Sequence, residues 1–257
     1  MPATDLSLIA DAARAAGAIA LSHWKRSPEV WDKGDDDPVS AADLAADAYL
    51  RETLLGARPD YGWLSEETAD DGSRNARDRV FVVDPIDGTR SFLKGEPTWG
   101  VSIGIVERGV PVAGVVHLPA RDKTYAAADG AATLNGAAIA SADRNDPDGA
   151  TALCRPSTLA ASHWQGPPPA LSRVFRPSIA YRLCLVAEGR FDAMLTLMPS
   201  WDWDLAAGVC IATAAGAVAT DASGRPMSFD RDEPRQPGAV VAGPRMHAAL
   251  ISRLRPV

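Results

Sequence analysis

A short apolar strand that runs into two carboxylates occupies residues 79–93, which read Arg-Val-Phe-Val-Val-Asp-Pro-Ile-Asp-Gly-Thr-Arg-Ser-Phe-Leu. The apolar residues from Val80 to Val83 predict a strand that is buried on both faces. Pro85 cannot donate a backbone hydrogen bond, so regular pairing is expected to stop just after Asp84. Carboxylates at the end of a buried strand indicate a site for a hard divalent cation. The glycine and threonine that follow Asp87 are expected to open a helical turn whose free amides can hold an anion.

The alternative for this stretch is a polar turn in which Asp84 caps a helix and Asp87 is solvated, since turns favour these residue types. Two more stretches place carboxylates beside apolar segments. Glu66-Glu67 follows a short predicted strand, and Asp204 opens an Ala-rich helix predicted for 204–215. Asp204 taken alone would be an ordinary N-cap. The three stretches together favour a shared metal site over independent turns and caps.

The charge and composition of the chain restrict its partners. Of its 257 residues, 46% are hydrophobic and 23% are charged, as in ordinary globular proteins. The formal net charge of −7 argues against a nucleic-acid polymer or an anionic membrane surface as the main partner. An acidic protein that binds a phosphate group must obtain positive charge elsewhere, and bound metal ions would supply it.

The cysteines and the first helix predict the compartment. Cys154, Cys184 and Cys210 are far apart in apolar contexts, which predicts buried free thiols in a reducing cytoplasm rather than a zinc site. Residues 1–20 lack a basic segment before an apolar one, so an amphipathic helix is expected there and not a signal peptide. No apolar run approaches the length of a membrane span. We therefore expect a cytoplasmic protein.

Hydrophobic periodicity and turn signals predict a layered α/β fold with α+β character. Two helices, at 5–24 and 41–55, lead into a mostly antiparallel sheet with strands at 98–106, 110–118 and 123–128. Residues 27–38, between the helices, predict a charged, flexible loop. The polar residues 141–150 are the best candidate for a boundary between an N-terminal half, 1–140, and a C-terminal half, 141–257. In the second half strands alternate with helices at 157–164, 178–188, 204–215 and 246–254.

The motifs occur together in a recognisable order. They are Asp84-Pro-Ile-Asp-Gly-Thr89 with Phe92, Trp203-Asp204-x-Ala-Ala-Gly208, Glu66-Glu67, Pro38-Val-x-x-x-Asp43 and the helix Ala180-Tyr-Arg-Leu-Cys184. On these residues the chain resembles the inositol monophosphatase family of metal-dependent, lithium-sensitive phosphatases over residues 5–254. The resemblance implies alternating helix and sheet layers in the order αβαβα. It also implies hydrolysis of a phosphate monoester by metal-activated water.

The resemblance implies two or three Mg²⁺ ions held by named residues. Glu66, Asp84 and the backbone carbonyl of Ile86 would bind the first ion. Asp84, Asp87 and Asp204 would bind the second, with Asp84 between the two. Close carboxylates repel one another without metal, so the metal-free site is expected to be loose, especially over residues 31–40.

The resemblance also assigns the attacking water and the phosphate. Thr89, oriented by Asp43, would help position and deprotonate the water, and Glu66 and Asp43 would lie near a third, weaker ion. The amides of Gly88 and Thr89 would hold phosphate oxygens, with Asp87 beside the substrate. From the sequence alone, the simpler role of Asp43 is the capping box that it forms with Ser40 at the start of the second helix.

The alcohol part of the substrate is predicted from other positions. Inositol enzymes of the family have a substrate-binding glutamate at the position of Leu197, which weakens an inositol assignment. Arg90 and the segment around Ser178 and Arg182 look closer to the bacterial 3'(2'),5'-bisphosphate nucleotidases. Ser178 and Arg182 could hold the sugar or second phosphate of the nucleotide, or could be an N-cap and a surface charge. Asp202 could contact substrate hydroxyls in place of the missing glutamate.

The expected reaction is the Mg²⁺-dependent hydrolysis of 3'-phosphoadenosine 5'-phosphate to AMP and phosphate, by a monomer or homodimer. Hydrolysis of inositol 1-phosphate or of histidinol phosphate are the alternative activities. The non-enzyme alternative is a metal-binding member of the family that has lost its activity. The presence of Thr89 together with all the motif carboxylates argues against that alternative.

Overall fold

The computed structural model describes residues 4–26, 28–32, 34, 38–229 and 231–255. The helices are α1 (Asp5–His23), α2 (Ala41–Ala57), α3 (Thr89–Leu93), α4 (Ile179–Ala187), α5 (Asp202–Ala214) and α6 (Pro244–Ile251). The strands are β1 (Val30–Asp32), β2 (Pro38–Ser40), β3 (Gly62–Ser65), β4 (Arg79–Asp87), β5 (Gly100–Glu107), β6 (Val110–Leu118), β7 (Lys123–Ala128), β8 (Ala131–Leu134), β9 (Ala137–Ala138), β10 (Thr151–Leu153), β11 (Ser172–Val174), β12 (Ala193–Thr196), β13 (Ser200–Trp201), β14 (Val218–Thr220), β15 (Arg235–Gln236) and β16 (Ala239–Ala242).

The larger sheet contains seven strands in the order β3-β4-β5-β6-β7-β8-β9, parallel at β3–β4 and antiparallel elsewhere. Its central strand β4 is buried on both faces, as its apolar run predicts. Phe81 and Val83 pack with α1 and α2 on one side. Val80 and Val82 pack in the core that contains α4 and α5 on the other. One strand therefore anchors two helix layers.

The smaller sheet contains five strands in the mixed order β11-β10-β12-β16-β14. Met194 and Val241 face the core that contains α4 and α5, while Leu195 and Val240 pack in a separate core with α6. The layers are thus α1 and α2, the large sheet, α4 and α5, the small sheet, and α6, which confirms the αβαβα order. The two sheets fall on either side of residues 141–150, and the division into two halves at this point stays a prediction.

Two local predictions are wrong. Residues 27–38 are not simply a loop, because β1 pairs antiparallel with β2. Residues 33 and 35–37 lie outside the described residues. The looseness expected for residues 31–40 in the metal-free site stays a prediction. The helix predicted for 157–164 is replaced by two short 3₁₀ turns, Pro156–Leu159 and Ala161–His163, with Ala160 extended between them. The indole of buried Trp164 donates to the carbonyl oxygen of Thr158 at 2.9 Å. This carbonyl is therefore not available for the backbone hydrogen bond of a continuous helix.

The cysteines and the helix lengths agree with the expectations from sequence. Cys154, Cys184 and Cys210 are buried and free. Among the helices of the described ranges, none combines the length and apolar character that a membrane crossing requires.

A close contact between α4 and α5 predicts a large stability effect at Gly208. A Cβ on Gly208 would lie 2.6 Å from Cδ1 and 2.7 Å from Cβ of Leu183. We expect Gly208→Val to lower the free energy of unfolding by about 1–3 kcal/mol through overpacking, measured by thermal denaturation. Gly166→Val is the matched control, because a Cβ there meets no described atom within 4 Å. Equal melting temperatures for the two variants would contradict this packing.

Candidate active site

A β-bulge at the end of β4 brings two carboxylates to the same face of the large sheet. Asp84 pairs with Ser102 and Asp87 pairs with Gly100, so three steps along β4 match two steps along β5. Side chains alternate along a regular strand, and Asp84 and Asp87 would then point to opposite faces. The extra residue restores them to one side. The oxygens of these two carboxylates and of Asp204 lie within 4.8 Å of one another.

Asp204 reaches this point because α5 lies directly on the large sheet. A Cβ on Gly114 would be 2.7 Å from the carbonyl oxygen of Ala207, and one on Gly104 would be 3.2 Å from its amide nitrogen. Only glycines permit so close an approach of helix and strands. Trp201 takes the N-cap position, so Asp204 is inside the first turn of α5, where the helix dipole favours an anion.

The start of α4 holds Asp87 in place. Its carboxylate accepts hydrogen bonds from the Ser178 hydroxyl at 2.5 Å and from the amides of Ile179 at 3.1 Å and Ala180 at 2.6 Å. The Ser178 hydroxyl also accepts from the Tyr181 amide, so Ser178 is the N-cap of α4. Ser178 is buried behind Asp87, and this geometry does not support its predicted contact with substrate.

Burial and mutual repulsion make the cluster electrostatically unfavourable without a cation. Burial, followed by the charges of Glu66, Asp87 and Asp204, raises the pKa of Asp84 well above its ordinary value. Burial and the charges of Asp87 and Glu66 do the same to the pKa of Asp204. Burial raises the pKa of Asp87 to about 6, against the lowering effect of its hydrogen bonds from α4. Converging carboxylate oxygens are the donors that hard divalent cations prefer, so the residues fit such an ion.

Glu66 and Ile86 stand beside this group. Glu66 follows β3, and its amide donates to the Val83 carbonyl at 3.2 Å, immediately before Asp84. The charge of Glu66 raises the pKa of both Asp84 and Asp43. The carbonyl of Ile86 accepts a hydrogen bond from the Thr89 hydroxyl at 3.1 Å. Both residues therefore border the carboxylate cluster, and their role as cation ligands stays a prediction.

Thr89 and Asp43 meet across the site. Thr89 Oγ1 lies 3.5 Å from Asp43 Oδ1. The other oxygen of Asp43 accepts from the Ser40 amide at 2.8 Å and hydroxyl at 2.6 Å, which confirms the capping box. Burial raises the pKa of Asp43 to about 6. Asp43 thus combines the structural role with the orientation toward Thr89 that the resemblance implies.

Gly88 shapes the turn between Asp87 and α3. Its φ of +98° lies in the left-handed region, and a Cβ would lie 3.0 Å from the carbonyl oxygen of Thr98. Both the conformation and the space require glycine here. Gly88 and Thr89 line the same cleft as Asp84 and Asp87, which places the start of α3 against the carboxylates.

The cleft has a volume of about 440 Å³ and a mixed electrostatic lining. Its acidic residues are Glu66, Asp84, Asp87, Glu96 and Asp204, and its basic residues are Arg90, Lys94, Arg155 and Arg182. Arg155 and the neighbouring Phe175 were not anticipated from the sequence. Phe175 directly follows β11, and Arg155 is the second residue after the parallel strand β10. Residues after parallel strands gather at one sheet edge where ligands bind. That position was the available signal.

Arg182 is not a surface charge, because it is only 2% exposed. Its Nε donates to the Ser178 carbonyl at 3.3 Å, and its guanidinium lies 5.4 Å from the ring centre of Phe175. Burial lowers its pKa to about 10, and Asp87 opposes this effect while Arg155 adds to it. No ion pair joins Arg182 to a carboxylate in the part of the chain that the structure describes. It remains protonated at neutral pH and faces the cleft as a positive charge.

Asp202 lies away from the predicted substrate contact. It is fully buried, and its Oδ1 accepts a hydrogen bond from the Gln236 amide at 2.7 Å. It is outside the cleft lining formed by the described residues. The geometry therefore does not support its predicted contact with substrate hydroxyls, because the pairing of β13 with β15 brings Gln236 to it instead.

Known proteins resemble this chain in sequence and in architecture. The model of the inositol monophosphatase family matches residues 3–257. A histidinol-phosphatase of Chlorobaculum parvum is 31% identical and covers 97% of this chain and 96% of its own length. An inositol-1-monophosphatase of Rhizobium meliloti is 34% identical, with coverage of 82% and 80%. The 3'(2'),5'-bisphosphate nucleotidase CysQ of Escherichia coli K12 is 32% identical, with coverage of 78% and 83%.

A solved structure gives the same result for the fold. The IMPase of Thermotoga maritima superposes with a TM-score of 0.81 at 25% identity, over 96% of this chain and 95% of its own. Sequence and fold agree along nearly the entire length of the protein. The chain belongs to the inositol monophosphatase family of metal-dependent phosphatases.

Proposed function

We propose that this chain is a Mg²⁺-dependent phosphatase that removes the 3'-phosphate of 3'-phosphoadenosine 5'-phosphate, with AMP and phosphate as products. The observation that carries the hydrolytic part is the convergence of Asp84, Asp87 and Asp204 within 4.8 Å beside Gly88 and Thr89. Such a group places cation ligands next to amides that can take a phosphate. The free cysteines of the chain fit a reducing cytoplasm as the compartment.

The acidic residues of the cleft and one carbonyl would hold the cations. Glu66, Asp84 and the Ile86 carbonyl would hold one Mg²⁺ and Asp84, Asp87 and Asp204 another, with a weaker third near Glu66 and Asp43. When bound, the ions would supply positive charge for the phosphate and lower the pKa of the attacking water.

The proton of the water has a path through this chain's own groups. Thr89 Oγ1 can accept a hydrogen bond from the water. Its own single proton, which points to the Ile86 carbonyl at 3.1 Å, would turn to Asp43 Oδ1, 3.5 Å away. A general base works best when its pKa is close to the working pH, and burial raises that of Asp43 to about 6. The bonds from Ser40 keep Asp43 aimed at Thr89. The amides of Gly88 and Thr89 would orient the phosphate for in-line attack.

The choice of a bisphosphorylated nucleoside rests on Arg182. Asp87 and Asp204 attract the buried charge of Arg182 but form no ion pair with it, and cations on these carboxylates would weaken that attraction. The loaded cleft therefore favours a ligand that brings a second anion to Arg182 and Arg155. A second phosphate group satisfies that need. Inositol 1-phosphate offers only hydroxyls at its far end, and the ammonium group of histidinol phosphate would be repelled. Arg90 and Phe175 can contact the sugar and the base of such a nucleotide.

A comparison of kcat/KM on four esters tests the assignment. The esters are 3'-phosphoadenosine 5'-phosphate, inositol 1-phosphate, histidinol phosphate and fructose 1,6-bisphosphate, all with Mg²⁺. We expect the nucleotide to be hydrolysed fastest. A higher rate on any of the other three esters would overturn the substrate assignment, and no release from any ester would favour the inactive alternative.

Arg182→Gln should lose the preference for the nucleotide. A charge-assisted hydrogen bond contributes about 1.5–3 kcal/mol, so kcat/KM on the nucleotide should fall by about 10–100-fold. The rate on inositol 1-phosphate should change little. Arg108→Gln, at a surface ion pair with Asp78, is the control. An equal loss on both esters would show that Arg182 supports the fold of the site and not the second phosphate.

A further inference from the structure

Asp47 accepts hydrogen bonds from both ends of the segment 65–68, which carries Glu66. Asp47 is 7% exposed and lies on α2, outside the lining of the cleft within the described residues. One carboxylate oxygen accepts a short hydrogen bond from the hydroxyl of Ser65. The other accepts from the hydroxyl of Thr68 at 2.6 Å. Glu66 therefore sits on a short turn whose first and last residues are bound to one side chain.

Two backbone amides of the turn add to this attachment. The Glu66 amide continues the ladder to the Val83 carbonyl, and the Glu67 amide donates to Ser65 Oγ at 3.3 Å. Residues 69–73, immediately beyond Thr68, are exposed. The charge of Glu66 is repelled by Asp84 and Asp43. The turn itself is partly buried, but it borders this exposed segment. Repulsion pushes the Glu66 carboxylate away from the cluster, and the bonds to Asp47 oppose this motion.

Helix α2 also carries a residue on the opposite side of the site. Asp43 and Asp47 are four residues apart on α2, so their side chains lie on one face, one turn apart. Asp43 faces Thr89, and Asp47 holds the turn that carries Glu66. Because a helix is rigid over one turn, α2 links Thr89 to the turn that carries Glu66 through two neighbouring side chains.

We propose that Asp47 is a positioning residue, which sets the affinity of the site for a divalent cation by holding Glu66 in place. This inference rests on the proposed function, because it takes Glu66 as a cation ligand. Residues that orient metal ligands from behind change metal affinity or activity by about 10–100-fold when they are replaced. The effect should therefore appear in cation binding itself and not only in turnover.

Titration calorimetry with Mg²⁺ alone tests the proposal. Asp47→Asn keeps the volume but removes the charge and replaces one acceptor oxygen by a donor, so one hydroxyl must reverse its bond and both bonds lose their charge-assisted strength. We expect its Mg²⁺ dissociation constant to rise by about 10-fold or more. Asp192→Asn is the matched control, since Asp192 accepts from the amide and hydroxyl of Thr151 at 2.7 and 2.8 Å outside the cleft. It should lose stability without a change in Mg²⁺ affinity.

Substitutions of Thr68 make the test independent of the folding of Asp47→Asn. Thr68→Val removes the hydroxyl and should weaken Mg²⁺ binding, whereas Thr68→Ser keeps it and should bind like the wild type. Wild-type binding that is unchanged in Asp47→Asn and Thr68→Val would overturn the positioning role and leave the proposed function intact. Absence of Mg²⁺ binding by the wild type would overturn both.

Discussion

Asp84→Asn should abolish phosphate release and at the same time make the metal-free protein more stable. Asp84 lies between the other carboxylates, so its loss removes the ligand that two cations would share. We expect kcat to fall by at least about 10³-fold, equivalent to about 4 kcal/mol. In EDTA the same change removes a buried charge that burial, Glu66, Asp87 and Asp204 all disfavour. The melting temperature should then rise by about 2–4 °C for each kcal/mol gained.

Phosphate release with Mg²⁺ and thermal denaturation in EDTA measure the two effects on one preparation. The asparagine oxygen can still accept the hydrogen bond that the Ile86 amide donates to Asp84 at 2.9 Å. Asp11→Asn, on the exposed face of α1, should change neither quantity. Retention of most of the kcat would contradict a shared cation at this carboxylate, and lower stability in EDTA would contradict the unfavourable burial of its charge.

The metal-free protein should lose stability as the pH rises from about 4 to above 6, and Mg²⁺ should remove this loss. Asp43 and Asp87 have folded pKa values of about 6, against an ordinary value of 3.8. Between these values the folded state binds more protons than the unfolded state, so the free energy of unfolding decreases as the pH rises. Each pKa unit corresponds to about 1.4 kcal/mol, so two such groups can contribute several kcal/mol.

Melting temperatures at a series of pH values, in EDTA and in saturating Mg²⁺, test the sign. The curve in EDTA should descend through this window, and the gap between the two curves should widen with pH, because the cation binds the ionised carboxylates. The variant Asp43→Asn should flatten part of the descent in EDTA. Stability that increases with pH in EDTA would show that these carboxylates are ionised without cost in the metal-free state.

The motif residues could be predicted from sequence because each is fixed by its own local pattern. The apolar run before Asp84 marks a buried strand end, and small residues after Asp204 mark a helix packed against a sheet. Contacts between distant elements carry no local signal. Ser178 meets Asp87, and Asp47 meets Thr68, only after separate elements pack.

The surroundings of Arg182 and Asp202 could not be predicted for a related reason. Arg182 looked like a possible surface charge, but α4 lies between two sheets and is buried nearly all round. Asp202 stands close to Asp204 in sequence, but its partner Gln236 comes from β15 and holds it away from the cleft. Neighbouring positions on a helix start point in different directions, so closeness in sequence was a poor guide to closeness in space.

Because of the bulge at the end of β4, the carboxylates of Asp84 and Asp87 share a face only when a particular number of residues separates them. An odd number of steps separates Asp84 from Asp87, and an even number separates their partners Ser102 and Gly100. The two carboxylates share a face only while this mismatch persists. Lengthening or shortening the motif by one residue would restore regular alternation or shift the bulge, and the second carboxylate would leave the cluster. Replacement of Ile86 by another apolar residue preserves the count. The chemistry of the site thus depends on how many residues the motif contains as much as on which ones they are.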